Sequence, residues 1–372
     1  MEKNNIIKGF SDMIINVEDF EIDKEYIQTV HNNVAYNNVI IDYYKKFYNE
    51  LGKNRNPYNL SKSRVASLKN CNKFWAVDVY ELSSIKDFVS TNLCRDKFCN
   101  NCKKVKQASR MSKYIPELEQ YKNNLYHLTL TIPNVKEEYL KETVKKMPKA
   151  FQRFMRYLSL RSKLGFINLS QYGYRGAIRS LEITFKEDSY HPHYHVALVL
   201  NEDIDMTRKH RNTYSTDFLG NREDKLFTDL EIIIQKLWYL CYNDIHVNSV
   251  NFNKLAQGYS CNLDKFKEND YAELFKYMTK ETDEINNILT YGNFKALYLS
   301  TYKLKQIQGY GCLYKISDVD IEDEVNEVYS SIKSFLEYEE TPKNVLETQI
   351  NLLNDNNYTL ISRKKIHQYI KK

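Results

Sequence analysis

Residues 126–132 read Tyr-His-Leu-Thr-Leu-Thr-Ile, a strict alternation that predicts a half-buried strand with His127, Thr129 and Thr131 on its polar side. Pro133-Asn134 closes it. Over 135–164 the apolar spacing becomes helical, with Phe151, Phe154, Met155 and Leu158 at i, i+3, i+4 and i+7 and Gly165 as the stop. A turn at Gly173-Tyr174-Arg175-Gly176 precedes a second alternating run, 177–185, in which Leu181, Ile183 and Phe185 face inward and Ser180, Glu182 and Thr184 outward. A polar connection, 186–190, leads to His191-Pro192-His193-Tyr194-His195 and the apolar run 196–200, so these two strands predict an antiparallel hairpin. Residues 201–227 are polar and read as a surface insertion, 230–242 as an amphipathic helix containing Trp238, 245–252 as another strand, and 271–282 as a helix. The expected fold class is α+β: an antiparallel sheet with helices packed on one face, and polar strand residues collecting on the other.

The flanks carry weaker patterns. Residues 1–70 are rich in Asn, Lys and Tyr, and 24–51 predicts one or two helices ending near Gly52 and Pro57, an N-terminal extension open to DNA binding. Residues 71–115 form a cysteine-rich, basic segment, 116–312 the main domain, and 313–372 an acidic tail expected to be helical. No repeat or Gly/Ser linker interrupts the 372 residues. A 42% hydrophobic fraction suffices for a sizeable core, and with no apolar run of about 18 residues the expected protein is intracellular with no membrane partner.

Charge and cysteine content sharpen one region. The net charge is only +6, but residues 94–113 hold Arg95, Lys97, Lys103, Lys104, Lys106, Arg110 and Lys113 against the single acid Asp96. Such a block suits a phosphate backbone, which makes Lys103, Lys104, Lys106 and Arg110, with Thr129 and Thr131 of the polar strand face, candidate DNA contacts. The basic segment 103–114 predicts a helix stopped by Pro116. It leaves directly from Cys94-x4-Cys99-x2-Cys102, and Cys71 supplies a fourth thiolate for a structural Zn2+. Buried reduced cysteines or a redox pair are the competing readings of this cluster.

On a strand His193 and His195 project to the same side while Tyr194 and Val196 point into the core, which makes the pair half of a metal site. A hard divalent ion held by two imidazoles recruits a carboxylate, and Glu182 is the nearest candidate if the hairpin register sets 182 beside 195 rather than 196. His191 competes for that third position. The product is an open site with free positions for water or a phosphate oxygen, suited to polarising a phosphodiester. On the helix at 271–282, Tyr271, Leu274, Phe275 and Met278 form the apolar stripe, whereas Glu273, Tyr277 and Lys280 share another face. Tyr277 is a candidate nucleophile, Lys280 a neighbouring positive charge, and Glu273 a general base for a second, hydrolytic cut. Tyr271 is close enough to compete as nucleophile, and Asp270-x-x-Glu273 also reads as a capping box.

These motifs, His193-Tyr194-His195, Leu128-Thr129-Leu130-Thr131, Leu181-Glu182-Ile183-Thr184, 273–280, the cysteine cluster and Gly309-Tyr310-Gly311, resemble in order and spacing those of rolling-circle plasmid replication initiators of the HUH endonuclease superfamily, over residues 71–312. The resemblance implies a site-specific single-strand DNA endonuclease and strand transferase dependent on Mg2+ or Mn2+. In it Tyr277 nicks the origin, is linked to the 5′ phosphate and leaves a 3′ hydroxyl as primer, and Glu273 ends the round by hydrolysis. It implies plasmid double-strand origin DNA and single-stranded DNA as partners, with host helicase and polymerase, in a bacterial cytoplasm, and allows a homodimer. A conjugative relaxase or a transposase can use the same two motifs, and a non-catalytic zinc-containing DNA-binding regulator is the reading from another class.

Overall fold

A computed structural model of the chain describes residues 24–52, 62–69, 71, 74–79, 86–91, 94–186, 188–215, 221–267, 270–271, 274–275, 289–316 and 348–351. They fall into two compact units, one drawn from 1–109 and 319–372, the other from 110–318. Among the described residues no helix is long and apolar enough to cross a membrane.

The first unit contains helices α1 (Lys24–Leu51) and α2 (Lys62–Lys69), strands β1 (Phe74–Val79) and β2 (Lys86–Thr91), and the start of α3 (Asn100–Glu119). The 24–51 pattern thus makes one helix, ended by Gly52 at φ +49°, a conformation that costs glycine nothing. Far along the chain, Thr348–Asn351 forms a strand, β10, paired antiparallel with β1 so that the sheet order is β10-β1-β2. Those four residues correct the expectation of an all-helical tail, because pairing with a distant strand leaves no local signature; the rest of 317–372 lies outside the described residues. Helix α3 runs through Pro116 rather than stopping there. A proline forfeits only its own N–H bond, and burial of Tyr114 and Leu118 on either side holds the last turn in place.

The second unit is built on a five-stranded antiparallel sheet in the order β8-β3-β5-β4-β9, with β3 at Leu125–Thr131, β4 at Gly176–Lys186, β5 at Ser189–Val199, β8 at Cys261–Lys265 and β9 at Ile307–Gly311. Helices α4 (Glu137–Leu158), α5 (Asp229–Tyr242) and α7 (Tyr291–Ser300) bury its apolar side, which gives the α+β architecture expected. Phe151, Phe154, Met155 and Leu158 are buried as their spacing predicts. Phe151 and Trp238 both meet Tyr194, with ring centroids 5.3 and 6.2 Å apart. α4 nevertheless ends at Leu158, short of Gly165, where Leu160 turns to φ +59°. Within the core lies a cation: Arg179, 1% exposed, stacks on Tyr194 and gives hydrogen bonds to the Gln306 carbonyl and the Gln308 side chain.

One expected strand is replaced, and several elements were not expected. Residues 249–254 form a short helix, α6 (Ser249–Lys254), capped by the Asn248 side chain, rather than the expected strand. The strands that complete the sheet are β8 and β9, too short for their alternation to show, and α7 also went unforeseen. The polar insertion holds its own hairpin, β6 (His210–Ser215) with β7 (Arg222–Phe227). At β9 the glycines are required: Gly311 sits at φ +62°, and a Cβ on Gly309 would run into the Leu313 carbonyl.

Candidate active site and metal centres

The hairpin register decides what the two histidines meet. Glu182 pairs with His193 and Ser180 with His195, so Glu182 stands opposite 193 rather than 195 as anticipated. The offset is two residues, which preserves the strand face, and the carboxylate reaches both rings. Glu182 Oε2 lies 3.0 Å from His193 Nε2 and 2.9 Å from His195 Nε2, and the two nitrogens are 3.1 Å apart. Burial acts to raise the Glu182 carboxyl, but the adjoining His193 and His195 outweigh it and hold the group well below the usual carboxylate range.

His193 Nδ1 faces the His191 carbonyl at 3.1 Å, so that nitrogen carries the proton and Nε2 keeps its lone pair for the cluster. His195 turns its Nδ1 to His127 Nε2 at 3.1 Å, again leaving Nε2 toward the cluster. Three donor atoms therefore converge, an arrangement that could hold a metal ion between them. Ligands about 2.1 Å from an octahedral ion stand about 3.0 Å from one another when adjacent, and the observed spacings match. The donor set, two imidazoles and a carboxylate on one face, could hold a divalent ion with further positions free. His191 stacks on His193, ring centroids 5.1 Å apart, and does not join the three donors. Burial pushes its imidazole down to about 4.

Thr129 pairs with His195 and Thr131 with His193, so both border the cluster; the Thr131 hydroxyl donates to the Ser260 carbonyl at 2.6 Å. The ligand side of the sheet is covered: Glu182, His193 and His195 are 5, 7 and 8% exposed. Phe266 stands edge-on to His127, Tyr271 packs on Phe266, and Phe275 leans on Tyr114 of α3. The Tyr271 hydroxyl donates to Glu119 at 2.7 Å. Of the predicted apolar stripe, Tyr271, Leu274 and Phe275 are buried. Met278, Glu273, Tyr277 and Lys280 lie outside the described residues.

Two of the candidate basic DNA contacts are turned inward. Arg110 is 1% exposed and gives a hydrogen bond to Gln306 at 2.9 Å, and Lys103 is buried with its ammonium over the Tyr36 ring. Each side chain is engaged by a protein partner; charge runs in sequence do not reveal which face is buried. Lys106 is half-buried, and the Lys104 side chain is outside the description. Sequence reasoning placed His127 on the correct face without giving it a role; its shared parity with Thr129 and Thr131 was the available signal.

In the other unit the four expected cysteines meet. Cys71, Cys94, Cys99 and Cys102 bring all four sulfurs within 4.8 Å of one another. Cys71 Sγ lies 3.5 Å from both Cys102 and Cys99, and Cys94 3.6 Å from Cys102, near the roughly 3.8 Å expected between thiolates bound tetrahedrally at about 2.3 Å. Asn37 Nδ2 and the amides of Cys94 and Asp96 donate to these sulfurs. Burial raises the Cys99 thiol, but hydrogen bonds from the other three outweigh it and hold Cys99 well below the usual thiol range, whereas bonds within the cluster push Cys94 and Cys102 up. Four thiols this close cannot ionise together without a cation, a role a zinc ion would fill. The set fits zinc in number, type and spacing.

Residues 86–212 match a family model described as replication protein. Among curated proteins, the chain is 25% identical over 241 residues to a Protein rep of Staphylococcus aureus, covering 62% of this chain and 87% of that one. It is 27% identical over 236 residues to a Protein rep of Bacillus amyloliquefaciens, covering 60% and 63%. A Protein rep of a Bacillus species is 32% identical over 119 residues, covering 30% of this chain and 35% of that one. No solved structure was found to match. These likenesses support the resemblance to plasmid replication initiator (Rep) proteins read from the motifs.

Proposed function

We propose that this chain, a relative of replication proteins, initiates plasmid replication by nicking one origin strand. One observation supports the chemistry most directly: the three donor atoms of Glu182, His193 and His195 stand 2.9 to 3.1 Å apart.

Glu182, His193 and His195 would hold a divalent ion, Mg2+ or Mn2+, which when bound polarises the scissile phosphate. The Tyr277 oxygen attacks that phosphorus and the bond to the 3′ oxygen breaks. The 5′ phosphate stays on the tyrosine, and the released 3′ hydroxyl primes the host polymerase behind a helicase. Lys280, three residues on, stabilises the phenolate. Glu273 takes the proton of a water that later cuts the junction. Tyr271 is the weaker nucleophile candidate, because its hydroxyl is buried and donates to Glu119. The Cys71, Cys94, Cys99 and Cys102 set holds a structural Zn2+.

The test incubates the full chain and Mn2+ with a supercoiled plasmid carrying its own replicon and locates the DNA adduct by mass spectrometry. An adduct on Tyr277 that Tyr277→Phe loses and Tyr271→Phe keeps is the expected result. Binding without cleavage would favour the regulator reading, and an adduct on Tyr271 would overturn the assignment.

A further inference from the structure

Behind the metal ligands runs a chain of hydrogen bonds that the nicking chemistry leaves unused. His195 Nδ1 lies 3.1 Å from His127 Nε2, and His127 Nδ1 lies 3.0 Å from Asp270 Oδ1. The rings of His127 and His195 are 5.3 Å apart at their centroids. The His127 and Asp270 side chains are 14 and 19% exposed, so water competes weakly for either bond.

With His127 neutral, a single proton pattern suits this geometry. A carboxylate oxygen only accepts, so His127 Nδ1 donates to Asp270 and His127 Nε2 is left as an acceptor. His195 Nδ1 must then donate, which leaves the lone pair of His195 Nε2 facing Glu182 and His193. The tautomer of a ligand is thus set two residues away. His193 reaches the same state by a shorter route, donating Nδ1 to the His191 carbonyl.

Asp270 has a second attachment. Its Oδ2 accepts from the Lys267 amide at 2.7 Å, and its own amide donates to the Lys267 carbonyl at 2.9 Å. The carboxylate is thereby pinned to the backbone of Lys267.

We propose that His127 and Asp270 are positioning residues of the metal centre: an Asp270 to His127 to His195 relay that holds His195 in the tautomer and orientation that bind the ion. The proposal rests on the reading that Glu182, His193 and His195 hold a divalent cation. Neither residue touches the ion or the DNA in this scheme. Outer partners of ligating imidazoles typically contribute about 10- to 100-fold in metal affinity.

The test measures Mn2+ affinity of the full chain by titration with electron paramagnetic resonance, alongside thermal unfolding in a chelator that strips Mn2+ but not tightly bound zinc. His195→Ala first checks the underlying reading: if it binds Mn2+ as the unaltered chain does, the metal site itself is wrong. With that loss established, Asp270→Asn and His127→Phe are each expected to weaken Mn2+ about 10- to 100-fold at an unchanged unfolding temperature. His127→Gln, whose amide oxygen can still accept from His195 Nδ1, should bind more tightly than His127→Phe. Affinities within twofold of the unaltered chain for both Asp270→Asn and His127→Phe would overturn the relay. So would equal losses in His127→Gln and His127→Phe.

Discussion

The two metal-type clusters differ in how the chain makes them. The cysteine set closes on four like donors drawn from two separate loops, at Cys71 and at Cys94 and Cys99, and the first turn of α3, with all four sulfurs within 4.8 Å of one another, and leaves no position for a substrate. The histidine set has three donors from two paired strands, spaced 2.9 to 3.1 Å, and its geometry leaves half of an octahedron unfilled. A closed soft site contributes to folding; an incomplete hard site is suited to chemistry. The scaffold follows the same division. Strand pairing sets the histidine donors rigidly, whereas the cysteine donors are pinned by amide N–H groups and the Asn37 side chain.

The largest effect that would break this contrast is zinc removal. Four-ligand zinc sites hold about 10 to 16 kcal/mol of binding energy coupled to folding. Cys102→Ser is therefore expected to abolish the one zinc per chain and unfold the first unit, read by metal analysis and hydrogen exchange of α1. Zinc retained with the fold intact would remove the structural role. Next, His193→Ala is expected to lower Mn2+-dependent cleavage at least ~10^3-fold, about 4 kcal/mol, with the zinc content unchanged. Cleavage that survives would place the chemistry elsewhere.

Two smaller perturbations ask whether the histidine set depends on the core beneath it. Phe151→Ala empties a fully buried site against Tyr194, Trp238 and Tyr310, and is expected to cost about 3 to 5 kcal/mol in denaturant unfolding. At the small end, Thr228 and Glu231 form a capping box on α5, and Glu231 also accepts from the Leu263 amide of β8. Thr228→Ala should cost about 1 kcal/mol and leave Mn2+ affinity unchanged. A large loss of affinity instead would mean that α5 and β8 help to set the ligand geometry.

Legibility followed the range of each interaction. The faces of β3, β4 and β5 and the buried stripe of α4 were readable because alternation and helical spacing are local and run long. β8 and β9, at five residues each, carry too little pattern, and the strand expected at 245–252 became α6 because an Asn248 cap and the burial of Phe252 favoured a turn of helix. Arg179 shows the limit from the opposite side. Its charge suggests a surface, yet aromatic rings and Gln306 and Gln308 compensate it in the core.

By itself, the sequence determined that His193 and His195 share a face, that Glu182 shares it if the register is even, and that four cysteines are available to one ion. These follow from parity along a strand and from donor type, both properties of neighbours. Only the tertiary structure decided that Glu182 pairs with His193, that the ligand face is covered, that Arg110 and Lys103 point inward, and that Asp270 reaches His195 through His127. Each of those joins residues far apart in the chain, where backbone pairing and competition for burial, rather than local spacing, choose the partner.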